Sequence, residues 1–455
     1  MTTMIDGCSY GKPMGEDIGT LVTINNQMLI VFGSNSVVNK EGLDLTATII
    51  DPITRVVEGY ANVPAGQDRW TFIAAPFKNG KTPTYVDNLF PVGEVGQPLV
   101  TSAEYDLYRF NQSATAEWEN YKMHSGNFSI DGGAGYLYAT KYARTMYFGG
   151  SVCAEDSNEV PLTYDASTGL AGWNLVGNPL MVPAYPNRPY YAMSEFGNNI
   201  EPVDTYSRWP IPTCTGIMVK AEGEGESITF SKTQQQQSSG QGGLHVAVAA
   251  HEATRDGSSS TTVQDKAIVS FNAGTNLSKF VFNASNAKLY IPQEDEDYAI
   301  AYSEKQGEMP LNFKAAENGS YTLTVIPEGV ELEYLHLIDN QTGEDIGLLS
   351  ADPSTVSGAS YTFNATTADN ESRFRLVFNA SSKTVEESFA YYVDGEIVIT
   401  ADTQGATLQI VDMTGRILVC RDAASHVSTA GMAPGVYVLR LVNGNSVRTQ
   451  KIVVR

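Results

Sequence analysis

Apolar and polar residues alternate one by one through much of this chain, and that period of two constrains its fold more than any other feature. Tyr321, Leu323 and Val325 alternate with polar residues in YTLTVIP, as do Phe374, Leu376 and Phe378 in RFRLVF, and Ile397 and Ile399 in EIVIT. A period of two sends successive side chains to opposite faces of a strand, whereas a helix needs apolar residues three and four apart. Helical spacing is confined to about one turn, around Val385 to Phe389. The composition points the same way, since 24 Tyr, 17 Phe and 4 Trp suit pleated surfaces, while 41 Gly and 20 Pro supply many turns. The sequence therefore predicts an all-β chain of tandem antiparallel β-sandwich domains.

At 455 residues the chain exceeds what one core usually organises, which suggests about three domains. The stretch SKTQQQQSSGQGG, Ser231 to Gly243, offers nothing to bury and reads as a flexible linker over residues 233–242. A softer boundary lies in NASSKTVEE, Asn379 to Glu387, so the expected segments are 1–232, 243–380 and 384–455. The first contains an internal repeat. WTFIAAP from Trp70 matches WNLVGNP from Trp173, each is followed by a glycine-led strand (GYLYA from Gly135, GIMVK from Gly216), and each closes on a strand ending in Phe148 or Phe230. Shared order argues for two related subdomains, about 64–150 and 171–232, with the tryptophans in equivalent core positions and Pro76 and Pro179 ending their strands. The middle segment carries seven alternating runs separated by turn-forming stretches, enough for one sandwich.

The net charge of -22 opposes contact with phosphate backbones, so nucleic acid is not an expected partner. No run reaches the ~18 apolar residues that span a bilayer, so no transmembrane segment is expected. Cys8, Cys153, Cys214 and Cys420 form no CxxC pair, and only Cys153 with Cys214 falls within one expected domain, where buried free thiols are the commoner state. No nucleophile-elbow, zincin, P-loop or EF-hand pattern occurs, and neither a catalytic residue nor a cofactor or metal site is assigned. His245 and His251, with Glu252 beside them, lack a third convergent ligand and read as ordinary strand residues. The acidic runs at 294–297 and 222–226 lack the spaced oxygens of a calcium loop, and DGGAGY, Asp131 to Tyr136, reads as a turn entering a strand. Glu117 and Glu119 share a strand face but have nothing to enclose a substrate. Aromatic residues in YDLYRF, AEWENY and MVPAYPNRPYYAMSEF, including Trp118, Tyr185, Tyr190, Tyr191 and Phe196, are the candidate binding surface, for stacking a glycan or gripping a host protein.

The tail is the most diagnostic stretch. An apolar strand leads to Asp412, Gly415 and Arg416 in DMTGR, then Gly435 and Tyr437 open a late strand, and Lys451 is followed by apolar residues. That combination resembles the type IX secretion sorting domain of Bacteroidetes. The resemblance implies a small Ig-like sandwich, read by the outer-membrane type IX machinery and commonly cut off as the passenger is attached to surface lipopolysaccharide. Each residue also has a purely structural reading, Gly415 and Gly435 as turn formers and Tyr437 as a strand residue. The upstream segments more loosely resemble β-sandwich modules that precede such tails, which accompany enzymes and adhesins alike. The start MTTMIDGCSYGK lacks the basic and apolar regions of an export signal, so the sequence is read as a fragment or a mis-started frame. Together these features predict a non-catalytic, adhesin-like region of a secreted or outer-membrane surface protein. The rival expectation is a set of accessory modules trailing an upstream catalytic domain.

Overall fold

The computed structural model describes residues 53–59, 69–78, 83–92, 98–123, 129–205, 210–234, 242–253, 259–293, 296–349, 359–380, 390–393, 395–399, 405–412, 416–433, 435–443 and 446–454, with short strands at 2–5, 8–11, 21–22 and 28–31 before them. Strands are the only regular elements among these residues, so the chain is all-β, and no helix in them is long and apolar enough to cross a membrane. The polypeptide forms two compact units. One comprises 1–236, 242–328 and 334–379, and the other 380–455 with the short stretches 237–241 and 329–333. Residues 235–241 of the expected linker and 381–389 of the second boundary lie outside the described residues.

Two layers of sheet form between Thr54 and Ser151. Strands Thr71–Ala74, Gly135–Thr140, Tyr105–Phe110 and Trp118–Asn120 lie side by side in that order, all antiparallel. In the facing layer Arg144–Ser151 runs between Pro83–Asp87 and Thr54–Val57. Phe77, Tyr105, Leu107, Tyr138, Met146 and Phe148 are buried together in one core. The stretch after Trp173 repeats the plan. Trp173–Gly177, Gly216–Lys220, Tyr190–Met193 and Ile200–Val203 lie in the same order, and Ser227–Ser231 runs between Tyr185–Pro186 and Ser157–Pro161. Val160, Tyr190, Ile217, Val219, Ile228 and Phe230 form the second core. Even the registers agree. Ala74 pairs with Gly135 as Gly177 pairs with Gly216, and Phe148 pairs with Val86 as Phe230 pairs with Pro186. Each repeat also takes a strand from before its tryptophan, which the sequence match did not include.

The repeats meet through reciprocal contacts. Single bridges join Ile73 to Thr215 and Ala134 to Val176, each linking the third residue after one tryptophan to the residue before the other repeat's glycine-led strand. A Cβ on Gly135 would stand 2.7 Å from the Val176 carbonyl oxygen, so the close approach requires glycine there. Arg55 spans the junction, donating to the Cys214 carbonyl, the Thr215 hydroxyl at 2.6 Å and the Thr71 hydroxyl at 2.8 Å. Burial lowers its guanidinium pKa to about 10. The buried Gln112 amide donates to the Thr163 carbonyl at 2.9 Å and accepts from Gly172 N–H at 2.7 Å, tying the repeats a second time.

The following strands, from Gly243–Ala253 to Phe374–Ala380, join in one hydrogen-bonded ladder. Gly243–Ala253 pairs antiparallel with both its neighbours, whereas Ser259–Ser270 meets Glu296–Tyr302 in parallel register. Its interior holds Phe313, Tyr321, Phe363 and Phe374, and two buried ion pairs, Arg373 with Asp339 and Lys279 with Asp265. This ladder shares a core with the repeats, because Phe72, Trp173, Leu175, Tyr191 and Met218 cluster with Ile268, Leu277, Phe280 and Ile300. The segments on either side of residues 235–241 therefore pack as one body.

The C-terminal unit is a small two-layer structure. Ala390–Val393, Glu396–Ile399 and His426–Ser428 form one sheet, and Ile417–Asp422, Thr407–Asp412, Gly435–Asn443 and Ser446–Val454 form the other in that order. Ile397, Leu408, Ile410, Val427, Leu439 and Ile452 lie in its core. Across the layers the Gln450 side-chain amide accepts from Ala390 N–H at 2.9 Å and donates to the Ala390 carbonyl at 2.5 Å.

Candidate functional site

Alternation along Tyr105–Phe110 divides its side chains between two environments. Tyr105 and Leu107 enter the first repeat's core, while Tyr108 and Phe110 join Phe72, Leu137 and Trp118 on the opposite face. The register aligns that face, since Leu137 lies opposite both Phe72 and Tyr108, and Trp118 lies opposite Phe110. An antiparallel sheet with apolar residues on both faces needs a cover on each. The segment around Phe280 and Phe282 supplies part of it, with Phe282 edge-on to Phe72 at 6.2 Å and to Trp118 at 6.1 Å between ring centroids. What is left uncovered is an open cleft of about 420 Å³, lined by Trp70, Tyr108, Trp118, Leu137, Phe282 and residues 283–285.

The second repeat carries the matching face, with Trp173 for Trp70, Leu175 for Phe72, Met218 for Leu137 and Tyr191 for Tyr108. The tryptophan–tyrosine pairs are alike, with ring centroids 5.8 Å apart for Trp70 and Tyr108 and 5.9 Å for Trp173 and Tyr191. Their surroundings differ. Trp173, Met218 and Tyr191 are buried, whereas Trp70 and Tyr108 are half-buried. Phe280 stands edge-on to Trp173 at 4.9 Å, and the Tyr191 hydroxyl donates to the Ser278 carbonyl at 3.1 Å while accepting from Phe280 N–H at 3.0 Å. Burial holds the Tyr191 phenol well above its ordinary pKa, so this hydroxyl stays protonated as a donor.

Of the five aromatic residues singled out in the sequence, Trp118 lines the cleft. Tyr190 and Tyr191, neighbours on one strand, are buried on opposite faces. Tyr185 is half-buried in the short strand Tyr185–Pro186, and Phe196 is 61% exposed in the turn before Gly197. That turn packs on the cleft's edge, because the Gly197 carbonyl accepts the Trp70 N–H at 2.9 Å. Trp70, Leu137 and Phe282 are cleft residues outside the three aromatic stretches, whereas Tyr108 belongs to YDLYRF. The signal for the cleft is apolar character at both odd and even positions of YDLYRF.

The remaining polar candidates serve the fold. Glu119 pairs with Arg109, and Glu226 accepts from Arg188 at 2.9 Å. Glu296 binds Lys220 at 2.6 Å, while Glu294 and Asp295 of the same acidic run lie outside the described residues. His251 contacts the Thr322 hydroxyl at 2.6 Å, and His245 lies six residues away on the same strand, about 20 Å distant at strand rise. Among the described residues no cluster of three or more His, Cys, Asp or Glu is placed to hold a metal. Cys153 and Cys214 are free, buried thiols, one in each repeat's core, and Cys420 is free and exposed.

In the tail, Asp412 closes the hairpin between Thr407–Asp412 and Ile417–Asp422. Its carboxylate accepts the Arg416 N–H at 3.0 Å and meets the Arg416 Nε at 3.1 Å. The guanidinium is otherwise exposed, its side chain retaining 75% of its accessibility. Gly415 lies outside the described residues. Tyr437 is buried and donates to the Ala433 carbonyl at 2.6 Å. The backbone of Lys451 pairs with Val438 in the closing strand. Gly435 departs from its expected role as a turn former. It starts a strand without a left-handed φ, and a Cβ there would meet nothing nearer than the Tyr437 ring at 3.8 Å.

Comparison with known proteins bears on this last unit. Residues 393–455 match the family described as the secretion system C-terminal sorting domain. No curated protein and no solved structure matches the chain. The tail is thus a type IX sorting domain, which implies interaction with the type IX secretion machinery and export to the cell surface or the extracellular space.

Proposed function

We propose that the sorting domain delivers a non-catalytic, adhesin-like binding region to the outside of the cell, and that the aromatic cleft is its contact surface. The observation that carries this is the paired face. Two sheets of the same order and register present the same tryptophan–tyrosine pair, one sealed beneath Phe280 and one open to solvent. A half-buried aromatic surface of this kind supplies contact area at low entropic cost, as binding sites require. The cleft walls are apolar rings with the polar stretch 283–285 at the side, a composition suited to recognition rather than to proton transfer. Removal of the tail and attachment of the binding region to surface lipopolysaccharide would keep the cleft at the cell exterior.

The test is retention of cells displaying the chain on surfaces coated with host proteins or with glycans. With equal display measured by antibody, cells carrying Trp70→Ala with Trp118→Ala should be retained at background level. Retention equal to that of the parent would refute the assignment of the cleft.

A further inference from the structure

We infer that the open cleft takes an extended polypeptide segment of a partner protein, one that sets an aromatic side chain against Trp70 and its main chain against the Tyr108 hydroxyl. The inference rests on the cleft being a binding site and goes on to name the class of ligand.

The second repeat shows what this surface binds when it is filled. Its occupant is a stretch of main chain, residues 277–282, with the sequence LSKFVF. One phenol, Tyr191, serves the Ser278 carbonyl as a donor and the Phe280 N–H as an acceptor. In an extended segment the carbonyl of one residue and the N–H of the residue two further on point to the same side, so a single hydroxyl can meet both. The ring on the residue that supplies the N–H, Phe280, stands edge-on to Trp173. Tyr108 and Trp70 hold the matching positions at nearly the same ring separation, half-buried and facing an open volume of about 420 Å³. That size falls among ligand-sized pockets, roughly 300–1,000 Å³. Phe282 already forms one wall, so an incoming aromatic ring would complete a second copy of the packing seen around Phe280. A glycan could stack on Trp70, but it would not bring the main-chain carbonyl and N–H, with a ring on the N–H residue, that the filled copy accommodates.

The experiment uses the full chain and a blocked synthetic peptide, Leu-Ser-Lys-Phe-Val-Phe, followed by calorimetry and tryptophan fluorescence. Saturable one-to-one binding is expected. Replacing the first phenylalanine of the peptide by alanine, or Trp70→Ala in the protein, should weaken it by about tenfold, the scale of a buried aromatic contact. Tyr108→Phe keeps the ring and its packing, and should weaken it by about fivefold, the net worth of a hydrogen bond. It also keeps the test valid if Trp70→Ala unfolds, which thermal melting would show. An oligosaccharide panel runs in parallel. Glycan binding sensitive to Trp70→Ala, with no peptide binding, would overturn the peptide assignment and leave the cleft a binding site. Peptide binding indifferent to both Trp70→Ala and Tyr108→Phe would place the ligand elsewhere, and binding of neither probe would remove both proposals.

Discussion

Gly133 and Cys214 hold the same place in the two repeats. Each has left-handed backbone, with φ of 79° and 59°, and each offers its carbonyl across the junction. Gly133 accepts the N–H of Gly177 at 2.9 Å, and Cys214 accepts that of Ala74 at 3.1 Å. Ala74 and Gly177 are in turn equivalent, each the fourth residue after its repeat's tryptophan. The contact is therefore self-complementary in the manner of a two-fold dimer interface, but built within one chain. Left-handed backbone costs a non-glycine residue about 1–2 kcal/mol, and Cys214 keeps it where its carbonyl accepts from both Ala74 and Arg55. Burial pushes its thiol up to about 12, so this residue is an inert packing group rather than a nucleophile.

The junction yields a swap test. A Cβ on Gly177 would lie 2.3 Å from the Ala74 Cβ and 2.7 Å from the Ala134 carbonyl oxygen. Gly177→Ala should therefore cost about 1–3 kcal/mol by overpacking, read as a lower urea midpoint. Adding Ala74→Gly removes the nearer clash and should recover part of the loss. A double variant no more stable than Gly177→Ala alone would show that the two methyl positions do not compete.

The buried pair in the middle ladder sets an acid limb. Burial by itself would raise the Asp339 carboxyl, but hydrogen bonds from Arg373, Gln341 N–H and Tyr361, with the Arg373 charge, outweigh it and hold the group below the ordinary carboxylate range. Because the folded pKa is depressed, the stabilisation is complete above the unfolded value of about 3.9 and is lost as pH falls through the folded value. Arg373→Met leaves the buried carboxylate unpaired and should cost about 3–5 kcal/mol at neutral pH. Asp339→Asn should flatten stability against pH below about pH 4. An unchanged acid limb in that variant would mean that another carboxylate controls it.

How much of this was legible beforehand follows from the range of each interaction. Strands were readable because alternation is local, and the repeat left marks in Trp70 and Trp173, Gly135 and Gly216, Phe148 and Phe230, which sit at matching registers. Tyr191 looked like a surface residue because its cover, Ser278 and Phe280, lies 87 and 89 residues further on. No local pattern reports such a partner. The match to Trp173 points Trp70 to a core, and its half-exposure depends on which of two matching faces the ladder covers. Gly435 is ambiguous in sequence for another reason. Glycine signals either a backbone need or mere absence of a side chain, and only the dihedral separates them.

In the sorting domain, fold and readout separate by residue. Asp412→Ala removes the acceptor of the Arg416 N–H and should cost about 1 kcal/mol. Arg416→Ala removes only an exposed ion pair and should stay within about 0.5 kcal/mol. Gly435→Ala makes only ordinary van der Waals contact, nearest the Tyr437 ring at 3.8 Å, and should be as mild, or slightly stabilising, as strand glycines are unfavourable. If the exporter reads the exposed surface of this unit, Arg416→Ala should lower secretion while its melting temperature stays that of the parent. Secretion tracking melting temperature across all three variants would instead show that only foldedness is sensed.

Export should depend on the tail while folding of the preceding unit does not. The C-terminal unit has its own core, built from residues between Ala390 and Val454, and the preceding unit has cores of its own. Deleting 384–455 in a host with type IX machinery, behind a fused export signal, should therefore leave a protease-resistant passenger in the periplasm. Deleting only 451–455 is a finer cut. It removes the pairing of Lys451, Ile452, Val453 and Val454 with the strand from Gly435, and it takes away two buried side chains, Ile452 and Val454. At about 1.5–3 kcal/mol for each of the two buried aliphatic residues, their loss alone is about 3–6 kcal/mol, which reaches the low end of a small domain's stability of about 5–15 kcal/mol before the lost strand pairing is counted. The truncated tail should melt below growth temperature, and the passenger should again stay in the periplasm. Surface display of either truncation at the parental level would contradict dependence on the tail, whereas a protease-sensitive passenger would show that the preceding unit needs the tail to fold.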